Sequence, residues 1–316
     1  MTATLESISI PAGVAPLTTG GRLLETSPDA FGWLRASERL IGDPAALRAR
    51  MEEDGYLYLP GALERSEVLS ARRWLTERLL DIGMLEPGSD PMEAVAARQA
   101  AAYFMPELAN PNEALQRVLY TGPMMALMRD LVDEPVRHYD FTWLRTVTPG
   151  RGTSPHCDIV YMGRGTHRLI TAWTPLGDID MNLGGLIVLE RSHRHARLNA
   201  TYGRKDVDAW CANLRAEAPR GLGGGGNIAA SGALSHDAPG LRRGLGGRWL
   251  TSPLFRAGDV LLFTPNTVHA SLDNRSDRVR LSSDSRYQAA SEPADERWIG
   301  EKPIGHGPEA KRGMIC

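Results

Sequence analysis

Regular patterning of hydrophobic and polar positions begins with a capped helix. In the segment DPAALRARMEEDG, Asp43 can cap the helix, Pro44 suits the first helical position, and Gly55 supplies a left-handed end. The next run, Tyr56–Leu59, closes with Pro-Gly and predicts a short strand. Residues 1–40 carry no sustained period, so we expect them to form an N-terminal extension.

Two more helical stretches are predicted before residue 135. Apolar residues at helical spacing mark one face of LERSEVLSARRWLTERLLDIG: Val68, Leu75, Leu79 and Ile82. Another helical stretch is predicted between Asn112 and Asp133, with a possible break at Gly122-Pro123. Its methionines are expected to fill gaps in a core: Met124, Met125 and Met128.

From residue 136 to about residue 290 the pattern changes to short β-rich runs separated by turn residues. These runs are VRHYDFTWLRTV, HCDIVYM, RLITAWTPL, GLIVL, DVLLFT and VRLSSDSRY. Such a series predicts a sandwich or barrel. A Gly-rich insertion interrupts it between about residues 197 and 250, and the pattern favours equally a lid over a pocket and a plain surface insertion. No phosphate-binding glycine motif accompanies the insertion.

Charge and composition exclude several classes of function. The formal net charge is −2 and no stretch concentrates basic residues, which argues against nucleic acid or an anionic membrane as a partner. The N-terminus lacks a signal-peptide pattern, and no apolar run approaches the ~20 residues that span a bilayer. The three scattered cysteines suit neither a disulfide framework nor a Cys-based zinc site. We therefore expect a cytoplasmic protein that acts on a small molecule; the sequence does not indicate its oligomeric state.

Two of the eight histidines begin a His-x-Asp triplet, at residues 138–140 and 156–158. Side chains at i and i+2 of a strand share a face, so either triplet could offer an imidazole and a carboxylate to one ion. A distant second histidine would complete a facial triad with open coordination positions, as oxygen activation by Fe(II) requires. The second triplet is favoured because the turn-rich PGRGTSP delivers it to the start of a predicted strand. His193 and His195, in a basic turn, are expected to be structural or solvated.

The C-terminal segment DVLLFTPNTVHASLDNRSDRVRLSSDSRY supplies the distant histidine. His269 follows an apolar strand, and Arg280 comes eleven residues later, in a strand where Arg280 and Ser282 share a face. Together they would form a donor set for a carboxylate. An edge-strand arginine paired with Asp277 or Asp284 explains the pattern equally well.

Four segments follow one another along the chain: MEEDGYLYLPGALERSEVLSARRWL, TSPHCDIVY, ITAWTPLGDIDMNLGGLIVLERSHRH and VHASLDNRSDRVRLSSDSRY. In this order they resemble the phytanoyl-CoA dioxygenase family of Fe(II)/2-oxoglutarate oxygenases, over about residues 42–290. It implies a mainly β fold with flanking helices around a double-stranded β-helix (jelly-roll, cupin-like) core. Residues 41–316 would then form one oxygenase domain, with a helical part at 41–135 and the β-helix core at 136–290.

The resemblance also implies the cofactors and the residues that hold them. Iron as Fe(II), 2-oxoglutarate as co-substrate and O2 are the expected cofactors. The catalytic residues, which are the iron ligands, would be His156, Asp158 and His269. The contacts of 2-oxoglutarate would be Arg280 at its distal carboxylate, Ser271 and Trp173. Ser282 resembles the serine of an Arg-x-Ser pair in related oxygenases.

The activity that the resemblance implies is oxidation, by default hydroxylation, of a C–H bond in a small organic metabolite, with release of succinate and CO2. A non-redox metal- or ligand-binding jelly roll is the main alternative, which a broken triad or a missing arginine would indicate. A zinc hydrolase on the same ligands would leave Arg280 and Ser271 without a purpose. The substrate stays open, although several arginines lie near predicted pocket segments: Arg145, Arg164, Arg168 and Arg204.

Overall fold

The computed structural model of the chain describes residues 10–211 and 232–314. The centre of the insertion predicted at about residues 197–250, with its run of glycines, lies outside these residues. The choice between a lid and a surface insertion therefore concerns residues outside the described part.

Short helices flank the strands. The α-helices in the described part are α1 (Pro44–Asp54), α2 (Arg65–Asp81), α3 (Glu113–Tyr120), α4 (Gly122–Val132), α5 (Ile159–Met162), α6 (Ala196–Ala200) and α7 (Ala238–Leu245). None of these helices has both the length and the apolar character needed to cross a bilayer.

Local signals set the bounds of the first helix as predicted. The Asp43 side chain accepts a hydrogen bond from the Ala46 amide at 3.0 Å, and Gly55 ends α1 with a φ of 77°. These contacts satisfy backbone groups that an uncapped helix would leave unpaired.

Three of the four residues predicted to share one face of the second helix are buried. Val68, Leu75 and Leu79 are buried on α2, whereas Ile82 is 55% exposed. The helix ends at Asp81, so Ile82 is the residue after the last turn and no longer follows the helical period. The prediction that Ile82 shares the apolar face of this helix is therefore wrong.

The predicted break at Gly122-Pro123 is confirmed, because Thr121 separates α3 from α4 with an extended backbone. Met124 and Met128 are fully buried and Met125 packs against the same core, as expected of gap-filling side chains.

The strands are short, apart from one of ten residues. They are β1 (Thr18–Thr19), β2 (Arg22–Leu23), β3 (Phe31–Trp33), β4 (Tyr56–Leu59), β5 (Val136–His138), β6 (Trp143–Val147), β7 (Ile170–Pro175), β8 (Ile179–Asp180), β9 (Leu186–Leu189), β10 (Ala209–Cys211), β11 (Trp249–Thr251), β12 (Leu254–Phe255), β13 (Val260–Phe263), β14 (His269–Ser271), β15 (Arg280–Ala289) and β16 (Arg312–Met314).

Most strands belong to two sheets. The larger has the order β4-β13-β7-β15-β5, with β6 also paired to β15, and the smaller has the order β14-β9-β11-β3. Within the predicted extension, β3 pairs in parallel with β11 and so joins the smaller sheet. The strand predicted at Tyr56–Leu59 is confirmed as β4, an edge of the larger sheet.

Alternating side chains of the larger sheet serve two cores. Trp173 and Leu261 pack in one apolar cluster with Val188 of the smaller sheet, so this cluster joins the two sheets. Their neighbours Ala172 and Leu262 point the other way, into the core that holds α1 to α4. This is the predicted mainly β fold with flanking helices, and its double-stranded β-helix core is confirmed.

Candidate metal and co-substrate site

Two chain segments that are distant in sequence meet at His156 and His269. Each backbone amide donates to the carbonyl of the other residue, both at 3.0 Å. The His156 triplet does not continue as a strand, contrary to the prediction for HCDIVYM. Asp158 has a helical backbone and directly precedes α5, because one helical turn buries Ile159 and its neighbours, and this burial outweighs β propensity.

Three potential ligand atoms converge in the place where these segments meet. Nε2 of His156 lies 3.8 Å from Oδ1 of Asp158, and Nε2 of His269 lies 3.7 Å from the same oxygen. One ligand atom from each of the three buried residues lies within 4.8 Å of the others. Two imidazoles and one carboxylate on one side of an ion form the donor set of non-haem Fe(II) sites.

Both imidazoles present the ring nitrogen that a metal needs. Nδ1 of His156 lies 2.9 Å from the Ser154 carbonyl, and Nδ1 of His269 lies 3.0 Å from the Thr267 carbonyl. A carbonyl can only accept, so each Nδ1 carries the proton and each Nε2 keeps its lone pair. Burial lowers the pKa of both rings, that of His156 to about 3, so both imidazoles are neutral at physiological pH.

The Asp158 carboxylate is oriented by two partners on its other oxygen. Oδ2 accepts from the Thr171 hydroxyl at 2.6 Å and from Nη2 of Arg286 at 2.8 Å, which leaves Oδ1 toward the imidazoles. Burial alone would raise the pKa of Asp158. The charge of Arg286 and the hydrogen bond from Thr171 help to outweigh burial, and the pKa of Asp158 lies well below its usual value. The carboxylate is therefore ionised and offers one oxygen to an ion.

Arg280 is a buried cation with no anionic partner among the described residues. Its side chain is 2% exposed, Nη1 donates to the Gly184 carbonyl, and Nε has no partner in the described part of the chain. Asp284 pairs with Arg145 at 2.9 Å, and no ion pair joins Arg280 to any described residue, so the alternative pairing with Asp277 or Asp284 is not found. Burial lowers the pKa of Arg280 to about 10, which leaves it charged at neutral pH. An unpaired buried guanidinium fits a carboxylate-bearing ligand.

The other predicted co-substrate residues lie in different surroundings. Ser271 is buried on β14, and its hydroxyl accepts from the Thr153 amide at 2.8 Å. Trp173 packs edge-on against Phe255, with ring centres 4.8 Å apart, in the cluster between the sheets. Ser282 is buried, and its hydroxyl has no partner among the described residues.

A cavity of about 680 Å³ opens beside the proposed ligands. The described residues that line it are Tyr103, Phe104, Trp143, Arg145, Arg151, Gly152, Thr153, Ser154, His156, Asp158, Tyr161, Met162, Ala233, His236, Arg286 and His306. Cavities of this size hold small organic ligands. Of the four arginines noted in the sequence near pocket segments, Arg145 lines it.

Other histidines from the sequence have structural surroundings. His138 stacks on Tyr120 with ring centres 4.1 Å apart, and Asp140 accepts from the Gly300 amide. His195 caps α6 by accepting from the Leu198 amide at 3.2 Å.

Sequence reasoning missed Arg286 and Thr171, which hold Asp158. A signal for Arg286 was present, because every second residue from Arg280 to Arg286 on β15 is polar or charged. Such a face on a strand of an otherwise apolar sheet points into a polar site. Thr171 has no comparable signal in its surroundings, ITAWTPL.

Comparisons with known proteins agree with this geometry. The family model described as Phytanoyl-CoA dioxygenase (PhyH) matches residues 51–282. A curated relative, 1-deoxypentalenic acid 11-beta-hydroxylase of Streptomyces exfoliatus, is 27% identical over 270 residues, which cover 80% of this chain and 83% of the relative.

Solved structures share the fold. The epimerase SnoN, in complex with Fe3+, alpha ketoglutarate and nogalamycin RO, superposes with a TM-score of 0.54 at 20% identity, over 83% of this chain and 93% of SnoN. EctD from S. alaskensis, with 2-oxoglutarate and 5-hydroxyectoine, superposes with a TM-score of 0.54 at 16% identity, over 99% of each chain. At these identities the likeness establishes the fold.

Proposed function

Because the chain belongs to the phytanoyl-CoA dioxygenase family, whose members are non-haem iron enzymes that use 2-oxoglutarate and O2, we propose that it hydroxylates a C–H bond of a small organic metabolite. Succinate and CO2 are the accompanying products. The observation that carries the proposal is the meeting of three ligand atoms within 4.8 Å of one another, in a chain that also buries a guanidinium, that of Arg280, with no ion pair to any described residue.

We assign the iron ligands as Nε2 of His156, Nε2 of His269 and Oδ1 of Asp158. When bound there, Fe(II) and 2-oxoglutarate supply the oxidising chemistry from O2. The ligands are oriented by the protein itself. Backbone carbonyls fix the tautomers of both imidazoles, and Thr171 and Arg286 bind the second carboxylate oxygen of Asp158. Such outer contacts orient the ligands and raise metal affinity.

We assign the distal carboxylate of 2-oxoglutarate to Arg280. A buried guanidinium without a counter-ion is costly, and a carboxylate would satisfy both its charge and its free Nε donor. The hydroxyls of Ser271 and Ser282 and the indole of Trp173 are the further contacts that we propose. Within the described residues the Ser282 hydroxyl has no other partner, which favours its role more than that of Ser271.

The cavity provides the place for the substrate. Aromatic side chains, among them Phe104 and Trp143, form part of its wall and would exclude water from the reacting carbon. The Streptomyces exfoliatus relative is named for hydroxylation of 1-deoxypentalenic acid. We propose hydroxylation here because this relative matches most of both chains, whereas SnoN, named an epimerase, shares the fold alone.

The alternative of a non-redox binding protein predicts a damaged site. The three ligand residues are intact and their free ligand atoms face one another, and Arg280 is present without a protein anion in the described part. A zinc hydrolase would not need Arg280, a buried cation suited to bind a second ligand. Both alternatives are therefore disfavoured.

The proposal is tested by anaerobic loading of the protein with Fe(II) and 2-oxoglutarate, followed by exposure to oxygen and a succinate assay over a metabolite panel. Asp158→Ala should abolish iron binding, and Arg280→Ala should raise the 2-oxoglutarate requirement about tenfold or more, because hydrogen bonds to a charged group are lost. His138→Ala is the matched control and should bind iron like the parent. Parental behaviour of both site variants would refute the assignment.

A further inference from the structure

The described lining of the cavity beside the proposed iron site contains more arginines than carboxylates. It contains Arg145, Arg151 and Arg286, whereas Asp158 is the single carboxylate among those residues. Asp158 is already bonded to Arg286 and is a proposed metal ligand. The exposed Arg151 has no ion pair with a described residue. A ligand that enters this cavity therefore meets a wall that favours negative charge.

Of these three arginines, Arg145 has the guanidinium that is best oriented to bind an anion. Its Nε donates to Oδ2 of Asp284 at 2.9 Å, and its guanidinium carbon lies 5.6 Å from the ring centre of Tyr103 and 5.3 Å from that of Phe104. These contacts hold the guanidinium while its two terminal nitrogens form no hydrogen bond within the described chain. A fixed guanidinium with free terminal nitrogens suits a carboxylate, because little rotamer entropy remains to be lost on binding.

Arg145 and Arg280 are diagonal neighbours on paired strands, but of the two only Arg145 is among the described residues that line the cavity. Arg145 on β6 lies opposite Ser282 of β15, whereas Arg280 lies opposite Val147, two residues further along β6. Arg280 has no anion among the described residues and is the proposed partner of the distal carboxylate of 2-oxoglutarate, whereas Arg145 lines the open cavity. Because Asp284 contacts only Nε of Arg145, the two terminal nitrogens can bind an anion of another molecule.

Part of the wall of the same cavity is apolar. Phe104, Trp143 and Met162 line the same cavity, and Trp143 lies within 4.7 Å of the Phe141 ring centre in a packed aromatic group. These surfaces would bury a hydrocarbon or aromatic body, and burial of such a body is favourable in proportion to its area.

We infer that the substrate is a small monocarboxylic acid whose carboxylate binds Arg145 and whose apolar body lies against Phe104, Trp143 and Met162. This inference rests on the proposed function, since it concerns the substrate of the same iron site. It assigns Arg145 as a residue that determines specificity by substrate charge.

The test compares acids with their uncharged counterparts. Naphthylacetic acid and adamantanecarboxylic acid, each with its methyl ester and its primary amide, are titrated into the anaerobic protein loaded with Fe(II) and 2-oxoglutarate. Binding is measured by the change in the visible absorption of the loaded protein and by calorimetry. At least one acid should bind about 10- to 100-fold more tightly than its ester and amide, the range expected for hydrogen bonds between two charged groups.

The same titrations with Arg145→Gln should remove this preference, so that acid and ester bind alike. Arg168→Gln, which removes an exposed cation outside the cavity, is the matched control and should retain the preference for acids. Because loss of Arg145 leaves Asp284 without its partner, thermal unfolding of the variant is measured alongside. Arg151→Gln, at an exposed position of the same cavity, provides a second variant, which should weaken acid binding by a smaller factor.

Equal binding of acids and esters by the parent protein, or failure of every acid to bind, would overturn the inference. A rise in the 2-oxoglutarate requirement of Arg145→Gln, with the preference for acids retained, would also overturn it, because Arg145 would then serve the co-substrate. Succinate formation in the parent without any probe tests the proposed function separately, so the two failures are distinguishable.

Discussion

The contact between Thr171 and Asp158 can be removed with almost no change of shape. Thr171 lies on β7 with no exposed surface, and its hydroxyl donates to Oδ2 of Asp158 at 2.6 Å. Thr171→Val keeps the branched side chain and suits a strand, so the hydroxyl is the only group lost. Arg286 still holds the same oxygen at 2.8 Å, which keeps the carboxylate paired.

The change in the free energy of unfolding expected for Thr171→Val is the sum of two opposing contributions. A hydrogen bond to a charged group contributes about 1.5–3 kcal/mol, and the added methyl group of valine contributes about 0.8 kcal/mol in the opposite direction. The net loss in the free energy of unfolding should therefore be about 1–2 kcal/mol. Loss of one contact that orients a ligand should weaken iron binding by about tenfold.

Thr174→Val on the same strand is the matched control. Thr174 is also fully buried, but its hydroxyl has no partner in the described part of the chain. This variant should unfold at the parental urea concentration or slightly above it, and iron affinity should stay unchanged. Urea unfolding of the metal-free proteins and anaerobic competition with a chelator measure both quantities. Equal effects of the two substitutions would refute the reasoning that Thr171 orients Asp158.

Three further outcomes are expected from urea unfolding. Arg286→Met should lower the free energy of unfolding by about 3–5 kcal/mol, because it leaves Asp158 buried without its counter-charge, and parental stability would contradict this. Burial raises the pKa of Asp208, but neighbouring cations outweigh it and the pKa lies below its ordinary value, so its ion pairs stabilise the fold above pH about 3.9. The loss in Asp208→Asn should therefore be full at neutral pH and should shrink as the pH falls below that value; a pH-independent loss would refute it. Gly55→Ala should cost about 1–2 kcal/mol, because Gly55 has a φ of 77° and a Cβ there would collide with the His193 ring, whereas Gly244→Ala, with open space around it, should be tolerated.

Several features of this protein follow from short stretches of sequence alone. The bounds of α1 depend on Asp43, Pro44 and Gly55, which act through hydrogen bonds and backbone angles within one helical turn. The break between α3 and α4 likewise depends on adjacent residues. The iron ligands could be predicted from residue types and their order along the chain. Imidazole, carboxylate and guanidinium groups in the pattern of a known family have few other functions.

Other features depend on contacts between distant segments, and the tertiary structure decided them. The sequence suggested a strand through His156, yet burial of the apolar side chains that follow Asp158 produced a helical turn. Asp158 and Arg286 are 128 residues apart, and Arg145 and Asp284 are 139 apart. Which arginine pairs with an acid and which stays free depends on strand register, and register is set by the packing of whole sheets rather than by the residues beside each arginine.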